Sequence, residues 1–536
     1  MRSVLFVSLA AAAAAAPSVS TETIHEGAAP ILSSSNAETI PNAYIIKFKK
    51  HVSESSASDH HLWIQKVHAD REDDRVELRK RGLFSDAAEV FSGLKHTYNV
   101  GSGFLGYAGH FDDETIEMVR RHPDVEAIER DTIVHTMRYI EVPQSTKESC
   151  DHDLEKSAPW GLARISHKDH LTFSTYNKYL YSAQGGEGVD AYVIDTGTNT
   201  EHVDFEGRAH WGKTIPANDE DVDGNGHGTH CSGTVAGKKY GVAKKANVYA
   251  VKVLKSNGSG TMSDVIAGVD FAAKSHKSQV QAAKDGKRKG FKGSVANMSL
   301  GGGKTTLLDQ AVNAAVKAGI HFAVAAGNDN TDACNYSPAA AADAVTVGAS
   351  DLQDNRAYFS NWGKCTDIFA PGLNIQSTWI GSKTAINTIS GTSMASPHIA
   401  GLLAYYLSLQ PASDSEYSLA DITPEKLKAD LLKVATSGAL SDLPKDTPNL
   451  LAWNGGGCSN YSAIVANGGY KAKPKADATL ASVTELEKAI EHDFKVISGK
   501  VAKGASALVG QAEKLSEKIH QAVDEELKEF FAEVKA

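Results

Sequence analysis

Four stretches of the chain carry residue types that together could act on an acyl group. SGTSMASPHIAG (390–401) sets one hydroxyl, Ser393, among very small side chains at the mouth of an apolar run, with Pro397 four positions on. Proline is tolerated in the first turn of a helix, so Pro397 marks a helix start, and IAGLLAYYL reads as a buried helix with Ser393 near the positive end of its dipole. Alone, these twelve residues read as an N-cap serine. DVDGNGHGTHCSG (221–233) frames His227 and His230 with glycine, VIDTGTN (193–199) closes a strand with Asp195, and AAGNDN (325–330) places Asn328 just past another strand end. A carboxylate, an imidazole and an alcohol in the order Asp195, His227, Ser393 are the parts of a nucleophile, its general base and the group that orients the base.

Each part has a competing reading. A carboxylate closing a buried strand needs a partner, so Asp195 either anchors a structural hydrogen-bond network or orients a base. Asp195-Thr196-Gly197 also fits half of an aspartic protease, but that chemistry needs two carboxylates and the chain has no second DTG or DSG. His227 and His230 have zinc spacing, yet Gly228 stands where the HExxH glutamate would act as base. GGGKTT, from Gly301, sits between a strand and a helix as a phosphate loop would, but Met298 takes the first glycine position of GxxxxGK[ST]. Ser393 lies in GTSMA, not in the G-x-S-x-G elbow of an α/β-hydrolase.

The elements that must position these residues are legible as two patterns. From about 158 to 455 short apolar strands (DAYVID, NVYAVKVL, SVANMSL, HFAVAAG, AVTVGA) alternate with helical stretches such as SDVIAGVDFAAKSH and LLDQAVNAAVKAG. Continuous apolar strands with helical crossovers predict a parallel sheet covered on both faces, with ligands bound beyond the strands' carboxyl ends. Residues 43–135 read β-α-β-β-α-β: AYIIKF, a charged helix from about 57 to 81, KHTYNV, FLGYAGHF, a helix in DDETIEMVRRH, and VEAIERDTIV. After the linker ANGGYKAKPKADA, a capping box at Ser482–Glu485 opens an amphipathic helical tail, read as a docked or removed appendage.

The 536-residue chain is 41% apolar with net charge -10, acidic and basic residues interspersed. It is long enough for two or three units, and without a basic stripe no nucleic-acid partner is expected. Arg2 followed by VLFVSLAAAAAAA is too short to span a bilayer and ends in small residues, so residues 1–16 read as a secretory signal peptide. No later run approaches about 18 uninterrupted apolar residues, so no membrane anchor is expected. Cys150, Cys231, Cys334, Cys365 and Cys458 allow two disulfides and leave one thiol over. Of the sequons at Asn257, Asn297 and Asn460, the last is favoured for glycosylation because it follows a Gly-rich turn, whereas Asn297 lies in an apolar strand pattern.

VIDTGTN, HGTHCSGT, NGSG, NMSLGGG, AAGNDN, ACNYSPA, FSNWGKC and SGTSMASPH resemble the motifs of the subtilase superfamily. Their wording is similar to the proteinase K branch, and within it to the fungal vacuolar serine proteases called cerevisin or proteinase B. The likeness covers about 43 to 455. It implies an α/β, subtilisin-like three-layer fold with a mostly parallel sheet at 137–457, preceded by a small ferredoxin-like α+β domain at 43–135 within a propeptide of 17–136, and leaves 458–536 as a C-terminal extension. It further implies a serine endopeptidase of broad specificity, made as a zymogen whose propeptide inhibits it until cleavage near Thr136. The implied destination is the vacuole lumen, with export to the medium as the alternative.

Residue by residue, the resemblance makes Asp195, His227 and Ser393 the catalytic triad and Asn328 an oxyanion donor. Substrate would add as a strand between Ser259 and Gly260 on one side and Ser299, Leu300 and Gly301 on the other. Ala325, Ala326 and Gly327 would wall a roomy apolar first pocket that favours large apolar or aromatic residues before the cleaved bond. Cys334 and Cys365 resemble a disulfide of relatives, which leaves Cys150 with Cys458 as a second pair. The branch has a thiol at the position of Cys231, read either as a buried structural cysteine or as the site where mercurials crowd His227. No cofactor is required, but Asp367 with the carbonyls of Ala342 and Ala344 matches a calcium site of proteinase K, so a structural calcium is an expectation. Polypeptides are the implied substrates and a monomer the expected form. The competing reading, an inactive peptide-binding homologue, would be expected to lack one of Asp195, His227, Ser393 and Asn328, and all four are present.

Overall fold

The computed structural model describes residues 19–22, 28–34, 36–71, 92–101, 103–136, 153–172, 174–412, 414–415 and 422–472. The leader, Cys150, the segment 137–152 and the helical tail lie outside them. Everything described belongs to one compact unit ending at Lys473.

The larger sheet has nine strands in the order Ala209–Thr214, Asn247–Lys252, Val189–Asp195, Gly293–Met298, His321–Ala325, Val345–Ser350, Ile368–Pro371, Leu450–Leu451, Thr436–Ser437. All pairings are parallel except the last. The central strands are buried along their whole length, which is why VDAYVID and HFAVA read as continuous apolar runs and not as alternating ones. Helices Trp160–Ser166, His227–Ala236 and Thr392–Ser408 pack on one face, and Met262–Lys284 and Thr306–Lys317 on the other. The three-layer α/β reading is therefore correct.

The small domain matches its predicted element order. Strands Thr39–Phe48, Gly93–Val100, Phe104–His110 and Val125–Thr136 form an antiparallel sheet in ferredoxin-like order, with helices Glu54–Asp70 and Asp113–Arg120 between them. The first helix begins three residues earlier than expected, where the Ser53 side chain accepts from the Ser56 N–H. Ile31–Ser34 adds a further strand beside Val125–Thr136. One face of this sheet (Ile45, Tyr98, Val100, Phe104, Ala108, Val134) shares a buried cluster with the helices Met262–Lys284 and Thr306–Lys317 of the large domain. Small residues permit the approach: a Cβ on Gly103 would stand 3.0 Å from the Ala314 Cβ.

Past the expected boundary at 457 the chain stays on the main core: the helix Tyr461–Ala466 buries Ile464 there and the Ala472 N–H bonds to the Ser437 carbonyl. Pro397 does not open its helix, which starts at Thr392 and carries the proline inside.

Candidate active site

The shift at Pro397 explains the serine segment. A proline at 397 has no N–H for the carbonyl four residues back, that of Ser393. That freed oxygen instead accepts from Ser299 Oγ (2.8 Å) and from Cys231 Sγ (3.4 Å), tying the serine's turn to two other segments of the cleft. Ser393 itself is the second residue of the helix, so its own N–H is one of the unpaired donors of the first turn. The apolar continuation of the helix, Ile399 through Leu407, anchors this end in the core.

Asp195 ends its strand with both oxygens buried. Oδ1 accepts from the Thr196 N–H (2.7 Å) and lies 2.8 Å from His227 Nδ1. The pair fixes the tautomer: Nδ1 carries the proton toward the carboxylate, and Nε2, buried and without a hydrogen-bond partner, is the unprotonated nitrogen. Burial pulls the His227 pKa down, but the Asp195 charge, with a contribution from Cys231, outweighs it and holds the imidazole well above its ordinary value. Ser393 Oγ donates to the Ser299 carbonyl (3.1 Å).

Asn328 is oriented by the helix it faces. Its Oδ1 accepts from the Thr392 N–H (2.9 Å) and Thr392 Oγ1 (2.7 Å), which turns Nδ2 away as a buried donor with no partner. An amide held this way beside the serine's turn is a preorganised donor for negative charge. The loop is braced by Asn361, whose Oδ1 accepts from the Asp329 and Thr331 N–H groups (both 3.0 Å) and whose Nδ2 donates to the Ala326 carbonyl (3.0 Å). Ala325 and Ala326 are buried, and Gly327 at φ +112° leaves no room for a Cβ, which would stand 2.1 Å from Asn361 Nδ2.

The sequence reading passed over Asp223. This buried carboxylate accepts from Thr196 Oγ1 (2.9 Å), from the Asn225 (3.0 Å), Gly226 (2.9 Å) and Thr229 (2.9 Å) N–H groups, and from Thr229 Oγ1 (2.5 Å). It caps the His227 helix, whose own N-cap Gly226 has no side chain to do so, and couples that helix to the Asp195 turn. His230 points elsewhere: burial lowers it to about 3 and its Nε2–H donates to the Ile375 carbonyl (2.8 Å). Cys231 is buried, with Sγ 4.0 Å from His227 Nδ1, and burial raises its thiol.

The strands expected to bind substrate already hold one. Val125–Thr136 runs antiparallel between Ser259–Thr261 and Leu300–Gly303, pairing His135 with both Ser259 and Gly301, Val134 with Gly260, and Thr136 with Leu300. Two carboxylates on alternate residues of the same strand cap both covering helices. Glu129 accepts from the Thr306 (2.9 Å) and Leu307 (2.7 Å) N–H groups, and Asp131 from the Ser263 N–H (3.0 Å) and Oγ (2.6 Å). The sequence reading missed both, although their spacing of two on a strand places them on one face.

Cys334 and Cys365 form a disulfide with Cα atoms 5.2 Å apart. Asn297 is 1% exposed and its amide donates to Ser299 Oγ, so that sequon is closed to a glycan. Asn460 is exposed and caps the Tyr461–Ala466 helix through Oδ1.

Residues 186–455 match the Subtilase family and residues 43–137 match Peptidase inhibitor I9. The chain belongs to the subtilase family. It is 83% identical over 538 residues to the subtilisin-like proteinase Spm1 of Pyricularia oryzae, with 100% of each chain covered. It is 68% identical to the subtilisin-like serine protease Pen c 2 of Penicillium citrinum over 88% of this chain and 100% of that one. Alkaline protease 2 of Aspergillus fumigatus is 62% identical over 95% of this chain and 100% of its own. A cold adapted subtilisin-like serine proteinase of known structure is 44% identical, covering 56% of this chain and 99% of that chain, with a TM-score of 0.49. This subtilase is thus a serine protease zymogen that carries its own inhibitor domain. Among the described residues no helix is long and apolar enough to cross a membrane.

Proposed function

We propose that this subtilase is an endopeptidase whose triad is Asp195, His227 and Ser393, with Asn328 Nδ2 and the Ser393 N–H as oxyanion donors, and that the inhibitor strand ending at Thr136 is its first substrate. The carrying observation is the 2.8 Å Asp195–His227 pair with an open Nε2, next to the serine turn and the unpartnered Asn328 amide.

Ser393 Oγ turns from the Ser299 carbonyl to His227 Nε2, attacks the scissile carbonyl and gives its proton to that nitrogen. Asp195 stabilises the imidazolium so formed. The carbonyl oxygen takes up negative charge between the Ser393 N–H and Asn328 Nδ2, in a water-poor site where such donors act strongly. Collapse breaks the C–N bond as Nε2 returns the proton to the leaving amine, and water, deprotonated by the same nitrogen, hydrolyses the acyl-enzyme.

Main-chain pairing with Ser259–Thr261 and Leu300–Gly303 is indifferent to side chains, which supports broad specificity. The pocket walled by Ala325, Ala326 and Gly327 favours a large apolar or aromatic residue before the cleaved bond. Self-cleavage near Thr136 frees the enzyme; the signal-like composition of residues 1–16 supports entry to the secretory route, with the vacuole lumen as the proposed destination and export to the medium as the alternative. The test is covalent labelling of the matured protein by a fluorophosphonate probe. Label on Ser393, abolished in Ser393→Ala, supports the reading; an unlabelled protein that still folds would establish the inactive homologue instead.

A further inference from the structure

The three oxygens expected to hold calcium are arranged around a different cation. Lys428, on the helix Pro424–Val434, donates from Nζ to the Ala344 carbonyl (2.6 Å), to Asp367 Oδ2 (2.8 Å) and to the Ala342 carbonyl (3.0 Å). An ammonium has three N–H donors, and here three acceptors converge on it, so its hydrogen-bonding capacity is filled. We propose that in this subtilase the Lys428 ammonium is the resident cation of the Ala342, Ala344 and Asp367 cage, in place of a divalent metal ion.

The donor set satisfies an ammonium completely, whereas calcium could use it only with the lysine gone and water filling the rest of its shell. Calcium takes six to eight oxygens at about 2.3–2.6 Å. The cage offers two neutral carbonyls and one carboxylate, at separations proper to N–H···O bonds. The other nearby acid does not contribute: Asp343 is engaged by Lys317 Nζ (3.1 Å). Asp367 Oδ2 also accepts from the Thr346 N–H (2.8 Å), which fixes the carboxylate against the sheet before any cation is counted. One carboxylate balances one ammonium, whereas a divalent ion there would leave excess positive charge.

The position gives the bond its purpose. Ala342 and Ala344 lead into the strand Val345–Ser350, and Asp367 leads into Ile368–Pro371, its parallel neighbour. Lys428 ties both strand entries to a helix that otherwise attaches through the apolar residues Leu427, Leu431 and Val434 and through Asp430, whose Oδ2 accepts from the Tyr461 hydroxyl (2.8 Å). A metal in this place makes stability depend on free calcium; a side chain makes the same tie with a charge that persists without any ion. The inference is independent of the triad assignment, since its readouts are melting and ion binding.

The test uses the full-length chain with Ser393→Ala, so that self-cleavage does not confound melting. Calcium binding by equilibrium dialysis and Tm in EDTA and in calcium are measured on this parent and on three variants in the same background. Asp367→Asn is expected to leave the parent's calcium count and calcium response unaltered. Lys428→Met, which keeps the apolar stem, is expected to lower Tm in EDTA by about 2–4 °C. Lys428→Gly, which empties the cage, is expected to bind one calcium more than the parent and to regain part of its lost Tm. A parent ion lost on Asp367→Asn would overturn the proposal by showing that calcium displaces the lysine. So would an unchanged Tm in Lys428→Met, or a Lys428→Gly variant that takes up no added calcium. The parent and Asp367→Asn comparison stands even if a Lys428 variant fails to fold.

Discussion

At the scale of single residues, the site is built from groups whose partners on one side leave the other side free. Asn328 spends its carbonyl oxygen on Thr392 and keeps its amide, so Asn328→Leu is expected to lower kcat by about 10²–10³, the cost known for a subtilisin oxyanion donor, with KM little changed. Steady-state kinetics on a peptide substrate checks this; wild-type turnover would remove Asn328 from the hole. In its proposed role His227 must be neutral to act, and the Asp195 charge raises its pKa, so activity is expected to be lost as pH falls through that value. Asp195→Asn is therefore expected to move the acid limb of kcat/KM to lower pH while dropping kcat by about 10⁴. Asp195, His227, Ser393 and Asn328 could be proposed from the sequence because each sits in a short motif with a chemical reason, and the structure gathers the segments that carry them. Asp223 was not, since an acid three residues before Gly226 has no visible reason until Thr196 and Thr229 are folded around it.

At the scale of elements, Val125–Thr136 does two jobs with two faces. Its backbone fills the cleft, and Glu129 and Asp131 cap the helices Thr306–Lys317 and Met262–Lys284. A lost cap costs about 1 kcal/mol, so Glu129→Ala with Asp131→Ala is expected to raise the inhibition constant of the propeptide, added in trans to matured enzyme, on the order of 30-fold. An unchanged constant would mean that the carboxylates contribute nothing to docking. The strand itself was readable from VEAIERDTIV, but the receptors of its two acids lie more than a hundred residues along the chain. The start of the serine helix was misplaced for a related reason. A local rule assigns proline to a first turn, whereas here the fold tolerates an interior proline because Ser299 Oγ and Cys231 Sγ take the carbonyl it releases.

At the scale of the whole molecule, the inhibitor domain and the protease share one buried cluster, and the last inhibitor strand leads straight into the serine site. Ser393→Ala in the full-length chain is accordingly expected to stay uncleaved when produced alone, with kcat down by about 10⁶, and gel analysis of the purified protein checks it. Maturation of that variant to the wild-type size without added protease would exclude self-cleavage. The sequence by itself determined the layered α/β architecture and the inhibitor domain's element order, and it singled out the chemical groups to propose for the site, because hydrophobic period and motif chemistry are local properties. Only the tertiary structure decided which donors stay unpaired, which acids cap which helices and which cation sits between Ala342, Ala344 and Asp367. Those outcomes depend on groups such as Lys428 and Asp367 meeting across 61 residues, and no local pattern records a meeting at that distance.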